Sequence, residues 1–175
     1  MKKTLGGVLV GIVMFLAPAR AAAVPINWTL SGGTFEDGTT FNGSFTYDAS
    51  FNGYTAWDIA VAAGPAFTGY DYLAGVDGAF VGVHSPTAVD FVAFPPIPVS
   101  GRYIRLSFAS PLTNAGGVIA LLTDSSGFEC NNCSIFRHIT GGTVRSVAAV
   151  PEPATVTLLA GGLLASLVRR RRHAQ

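Results

Sequence analysis

Short runs in which apolar and polar positions alternate recur through the middle of the chain. Phe41, Phe45 and Tyr47 share one face of a run whose other face carries Asn42, Ser44 and Thr46. Trp57, Ile59 and Val61 alternate with Asp58, Ala60 and Ala62, and Ile104, Leu106 and Phe108 alternate with Arg105 and Ser107. A period of two belongs to strands covered on one face, and Leu-rich stripes of helical period are missing. Between the runs sit Asp37-Gly38, Asn52-Gly53, Asp77-Gly78 and Asn114-Ala115-Gly116-Gly117, residues that tolerate the positive φ of tight turns. The pattern predicts a first hairpin, Ile26–Phe35 with Thr40–Asp48, turning at Glu36 to Thr39 and carrying a bulge at Gly32-Gly33.

Eight or nine such strands in one stretch predict an all-β fold, an antiparallel β-sandwich or jelly-roll-like single domain. The fuller apolar runs 88–94 and 118–122 are expected as central strands covered on both faces. Pro95-Pro96-Ile97-Pro98 cannot donate to a ladder and is expected as a stiff connection or edge. Ile59, Ile104, Leu106 and Phe108 should be buried, with Asp58 and Arg105 facing solvent.

The two ends have a different character. Lys2 and Lys3, the apolar stretch Leu5 to Leu16 and the small residues after Pro18 have the order of a secretory signal helix. Signal peptidase is expected to cut after Ala23, with Ala21 the neighbouring choice. The far end reads Pro151-Glu152-Pro153, an apolar stretch from Ala154 to Val168, then Arg169, Arg170, Arg171 and Arg172. The prolines keep their segment extended, so a short membrane helix starts only after Pro153. The four arginines form a cytoplasmic stop. Three segments result: a signal peptide at 1–23, an ectodomain at 24–149 and a C-terminal tail at 150–175.

Setting the ends aside changes the charge. The whole chain carries +1. Between Val24 and Val150, four arginines face nine acidic residues, which leaves −5 and no lysine. A nucleic-acid partner is therefore excluded, because binding one needs a basic surface to displace counterions.

Pro151-Glu152-Pro153, the Gly-containing apolar stretch Leu158 to Leu164 and the terminal arginines resemble a PEP-CTERM sorting domain. The resemblance covers about the last seventh of the chain. It implies an exosortase substrate of a Gram-negative bacterium: export, membrane anchoring through the C-terminal helix, and processing near Pro151–Pro153 by an exosortase-type membrane protease. Such tails are linked to exopolysaccharide and biofilm. A looser likeness to a recurrent PEP-CTERM ectodomain, on Gly33 to Gly38, Gly43 to Asp48 and Ser107 to Leu112, brings no activity with it.

Candidate chemistry in the ectodomain is sparse. Cys130 and Cys133 are spaced C-x-x-C, and outside the cytoplasm a small disulfide pinning a turn is favoured. A redox site would place the pair at the start of a helix, whereas the flanking residues read as strand. A zinc site would need His138 and a fourth ligand that is not evident. His84, Ser85 and Asp90 contain the letters of a hydrolase triad without its nucleophile elbow. Asp71 with Asp77, or Asp48 with Asn52, lacks the spacing of a calcium loop. Tyr54, Trp57, Tyr70, Tyr72 and Tyr103 offer either core packing or stacking surface for sugar rings, with Trp57 assigned to the core. The sequons at Asn27, Asn42 and Asn132 are discounted. The expectation is a secreted, non-enzymatic surface or matrix protein, with no catalytic residue, cofactor or metal. Its expected partners are signal peptidase, an exosortase and an exopolysaccharide. The alternative is a secreted carbohydrate-binding module or carbohydrate-active hydrolase.

Overall fold

A computed structural model describes residues 24–65, 67–94 and 101–147. The expected signal segment with Ala23, the proline run 95–98, the sorting residues Pro151, Glu152 and Pro153, and the arginines 169–172 lie outside these described residues. Ten strands are present: β1 (Ile26–Phe35), β2 (Thr40–Asp48), β3 (Gly53–Val61), β4 (Tyr70–Leu73), β5 (Phe80–Ser85), β6 (Ala88–Ala93), β7 (Arg102–Ser107), β8 (Gly116–Ala120), β9 (Phe128–Asn131) and β10 (Ile135–Val147). All pair antiparallel, in the order β4-β3-β2-β1-β10-β9-β7-β6-β5, with β8 attached to β10 off this path.

The first hairpin has the expected bounds, and its register shifts between Leu30 and Gly33 at the expected bulge. The expected antiparallel all-β architecture is found, as one connected, curled sheet. The reason is β10, 13 residues long, which serves both halves. Its first residues, Ile135 to His138, pair with β9, and its later ones pair with β1 and β8.

The curl brings the inward faces of the two halves together. Phe45 of β2 meets Phe91 of β6 and Phe108, with ring centroids 5.9 Å apart in each case. Trp57 lies 5.5 Å from Phe91, and Tyr54 donates to the carbonyl of Ser85 at 2.9 Å. Ile59, Ile104, Leu106 and Phe108 are buried and Asp58 is exposed, as the alternation requires. Trp28 is wholly enclosed. At Gly43 of β2 the chain needs a bare backbone: it has φ +140°, and a Cβ there would collide with the Asp58 carbonyl oxygen of β3.

Two expectations change. β6 is covered on both faces through Val89, Asp90 and Phe91, but its run stops at Ala93 and Phe94 is exposed. The run 118–122 is not a central strand. β8 runs alongside β10 and meets the 107–109 segment at its end, where Ala109 N donates to the Ala120 carbonyl at 2.9 Å; Val118 is 59% exposed, and Ile119 alone of the five residues of β8 is buried. Two glycines begin this strand; just beyond it Leu121 bridges to Phe108 and is buried.

Candidate functional site: an ion cluster inside and an aromatic face outside

The unexpected feature lies between the strands that bracket the cysteines. Glu129 of β9 stands opposite Arg137 of β10, and Arg102 of β7 lies diagonally across from it, beside Asn131. All three side chains point into the curl and are buried. Arg137 Nε donates to Glu129 Oε2 and Arg102 Nε to Glu129 Oε1, both at 2.7 Å. Tyr72 adds a hydrogen bond to Oε1 at 2.8 Å. The remaining guanidinium donors are also satisfied. Arg102 reaches the Thr68 carbonyl at 2.7 Å, and Arg137 reaches Thr39 Oγ1 at 2.6 Å, Asp37 Oδ2 at 3.1 Å and the Ala62 carbonyl at 3.2 Å. Phe67 packs on both cations, 5.6 Å from Arg102 and 4.6 Å from Arg137.

Two carboxylates thus balance two guanidiniums, the condition under which buried charge is tolerated. The cluster ties the β1–β2 turn, the segment after β3 and the central strands β7, β9 and β10 into one end of the fold. Burial and the neighbouring Glu129 charge push the Tyr72 hydroxyl well above its ordinary value. It therefore stays a donor. Burial alone would raise the Asp37 carboxyl, but hydrogen bonds from Thr39 and Arg137 outweigh it and hold the group below its ordinary 3.8.

The opposite face of the same strands carries aromatic rings. Phe128 is the hub, with Tyr103 at 5.5 Å, Phe136 at 5.3 Å and His138 at 6.2 Å. Arg105 covers its ring at 5.5 Å while gripping both oxygens of Asp90, at 2.6 and 2.7 Å. Arg105 is thus half-buried and ion-paired rather than simply solvated, and its guanidinium is raised above its ordinary value mainly by the hydrogen bonds to Asp90. Further along the sheet Phe80 and Phe94 stack at 5.9 Å. Phe80, Phe94 and Phe136 are each more than two-fifths exposed.

The predicted sites fall out as follows. Cys130 and Cys133 form a disulfide across the β9–β10 turn, where Asn132 and Cys133 both take positive φ. No zinc site forms with His138, since both sulfurs are bonded to each other, and the ring packs on Phe128. His84, Ser85 and Asp90 do not converge. The His84 ring contacts the Gly82 carbonyl, Ser85 Oγ caps the turn at Thr87 and Ala88, and Asp90 is held by Arg105. Asp71 and Asp77 line an open hollow of about 540 Å³ beside β4, where Tyr70 donates to Asp77 at 3.0 Å. Burial, with Asp77 adding, pushes that phenol up to about 12. Asp48 is buried and accepts from Ser50 N and Asn114. Among the described residues no three potential metal-binding side chains come together. Of the five aromatic candidates, Tyr54 and Tyr72 are core, Trp57 and Tyr70 pack against it, and only Tyr103 belongs to the outer face.

The sequence carried a signal for the ion cluster. Arg102 shares its parity with Ile104 and Leu106, so burying those two also draws Arg102 inward. What it lacked was the partner, because pairing of β7 with β9 depends on the fold.

No curated protein and no solved structure matches the chain. Residues 149–172, which begin two positions after β10 ends at Val147, match the family model described as the PEP-CTERM protein-sorting motif. The chain carries a PEP-CTERM sorting signal directly behind an antiparallel all-β domain, and that signal marks an exported substrate of an exosortase.

Proposed function

We propose that this chain is a non-enzymatic surface or matrix protein, whose β domain is delivered outside the cell by exosortase processing and associates with exopolysaccharide. The observation that carries the reading is the sorting motif at 149–172, set immediately after the last strand. The cut falls near Pro151–Pro153, after signal peptidase has removed residues to Ala23. The helix and Arg169 to Arg172 hold the precursor in the membrane until then.

Intact mass of the protein from medium and from membranes tests this. The released form should lack Arg169 to Arg172, and the Pro151→Ala, Pro153→Ala variant should remain on membranes with its tail. A released wild-type protein that keeps the arginines overturns the reading.

A glycan-binding role is favoured by one observation, the outer aromatic face. Rings that stack on sugar C–H groups beside a fixed Arg–Asp pair that hydrogen-bonds hydroxyls are the parts such recognition uses. Tyr103, Phe128 and Phe136 with Arg105 and Asp90 supply them. Retention of the domain on exopolysaccharide from the producing cells, lost in Phe136→Ala, supports this role; equal retention of both removes it.

A further inference from the structure

The two ends of the curled sheet differ in charge, and the sorting motif leaves from only one of them. β10 ends at Val147 opposite Gly116 of β8 and beside the start of β1, where Ser146 Oγ donates to the Asn27 carbonyl at 2.5 Å. The β2–β3 turn, residues 49–52, and the 109–115 segment lie at this same end. They are joined there by Asn114, which accepts from Ala49 N at 3.0 Å and donates to Asp48 at 3.1 Å. From Val147 to Pro151 is four residue steps, a reach of at most about 14 Å.

This rim is uncharged at its surface. Residues 24–25, 49–52, 109–115 and the β5–β6 turn 86–87, which meets Leu112 here, contain no Lys, Arg, His, Asp or Glu; the adjoining Asp48 is only 6% exposed, and the titratable side chain beside them, the exposed His84, packs at Tyr54 and brings no carboxylate. Phe51, at the tip of the β2–β3 turn, is 63% exposed, and Val24 is 55% exposed. The nearest exposed charges up the wall, Arg145 and Asp58, lie on one row of the sheet (Arg145, Thr29, Ser44, Asp58) and are of opposite sign. The acids elsewhere sit away from this end: Glu36 and Asp37 are in the β1–β2 turn, and Asp124 lies beyond the far end of β8.

We infer that this rim is the surface on which the unprocessed domain rests against the lipid bilayer, with Phe51 reaching the headgroup layer. The inference rests on the sorting reading, which plants the following helix in the membrane. A tether this short brings one end of the domain to the bilayer. A domain carrying −5 meets anionic headgroups at least cost through the end that shows them no carboxylate. An exposed aromatic ring at that level has the position that interfacial aromatics take.

The full precursor, placed in vesicles of phosphatidylethanolamine and phosphatidylglycerol, carries a photoreactive benzoyl-phenylalanine in place of either Phe51 or Glu36. Lipid adducts should form at 51 and be absent at 36. The same label at Thr113 should behave as at 51, which covers a disturbance of the turn. A long Gly/Ser spacer inserted after Val147 should abolish the adduct at 51 while the chain stays in the vesicle fraction. Equal labelling at 36 and 51, no lipid adduct at either 51 or 113, or adducts that survive the spacer overturn the inference. The mass measurement of tail removal is independent: lipid adducts with an uncut tail sink the sorting reading alone, and a cut tail without adducts sinks this one alone.

Discussion

Arg137 and Glu129 face each other across β9 and β10 with 2% and 0% of their side chains exposed, joined by contacts of 2.7 and 2.5 Å. Arg102 completes the cluster from the other side of the carboxylate, at 2.6 Å. Every charge in this group depends on the others, because none has water to fall back on.

Glu129→Ala leaves two guanidiniums buried without their shared partner, and should cost about 3–5 kcal/mol in a urea melt. Replacing the three together, as Arg102→Met, Glu129→Leu and Arg137→Met, should recover most of that loss, since the one carboxylate left, Asp37, is 18% exposed and keeps its hydrogen bond from Thr39 N. A single Glu129→Ala change costing under about 1 kcal/mol would show that the cluster is open to water.

Phe108 sits where the two halves of the sheet meet, 2% exposed and against Phe45. Phe108→Ala should cost about 3–5 kcal/mol. Gly43→Ala should also destabilise strongly, through collision with the Asp58 backbone and an unfavourable φ. Denaturant midpoints of the two variants check both, and wild-type midpoints would refute this register of β2 against β3.

The carboxyls of Asp37, Asp48 and Asp124 lie below their ordinary value of 3.8, Asp37 through Thr39 and Arg137 against an opposing effect of burial, Asp48 first through the Ser50 amide, and Asp124 first through the Ser126 hydroxyl. A folded-state value below the unfolded one stabilises fully above the unfolded value. That contribution is lost as pH falls through the lower, folded value. Denaturant midpoints should therefore hold steady above about pH 5 and decline through the acid range. Asp37→Asn should flatten part of that decline, and an unchanged slope would remove Asp37 from it.

The Cys130–Cys133 disulfide closes a short turn, and so short a ring removes little entropy from the unfolded chain. The Cys130→Ser, Cys133→Ser double variant should fold with nearly the wild-type midpoint. Non-reducing mass spectrometry of exported wild-type protein should show a peptide two hydrogens lighter than its reduced form; free thiols would contradict the bond.

The sequence by itself determined what is local. The first hairpin, its bulge, the strand assignment around the cysteines and the inward set Ile59, Ile104, Leu106 and Phe108 are properties of neighbours a few residues apart. The sorting motif is equally local, a linear order of prolines, apolar residues and arginines, and the family match covers the same stretch. Tertiary structure decided everything that depends on distant partners. Pairing of β1 with β10 joins Thr29 to Arg145, and no local pattern reports a partner that far along the chain. The single curled sheet follows from β10 being long enough to serve two halves. The exposure of Val118 in β8 follows from the 107–109 segment reaching only as far as Ala120 to Leu122. The parity of Arg102 points it inward, but its partners Glu129 and Arg137 were not legible, because a charge is stable inside only when its counter-charge arrives from other strands. Alternation can tell which way a side chain points, but only the fold determines what it meets there.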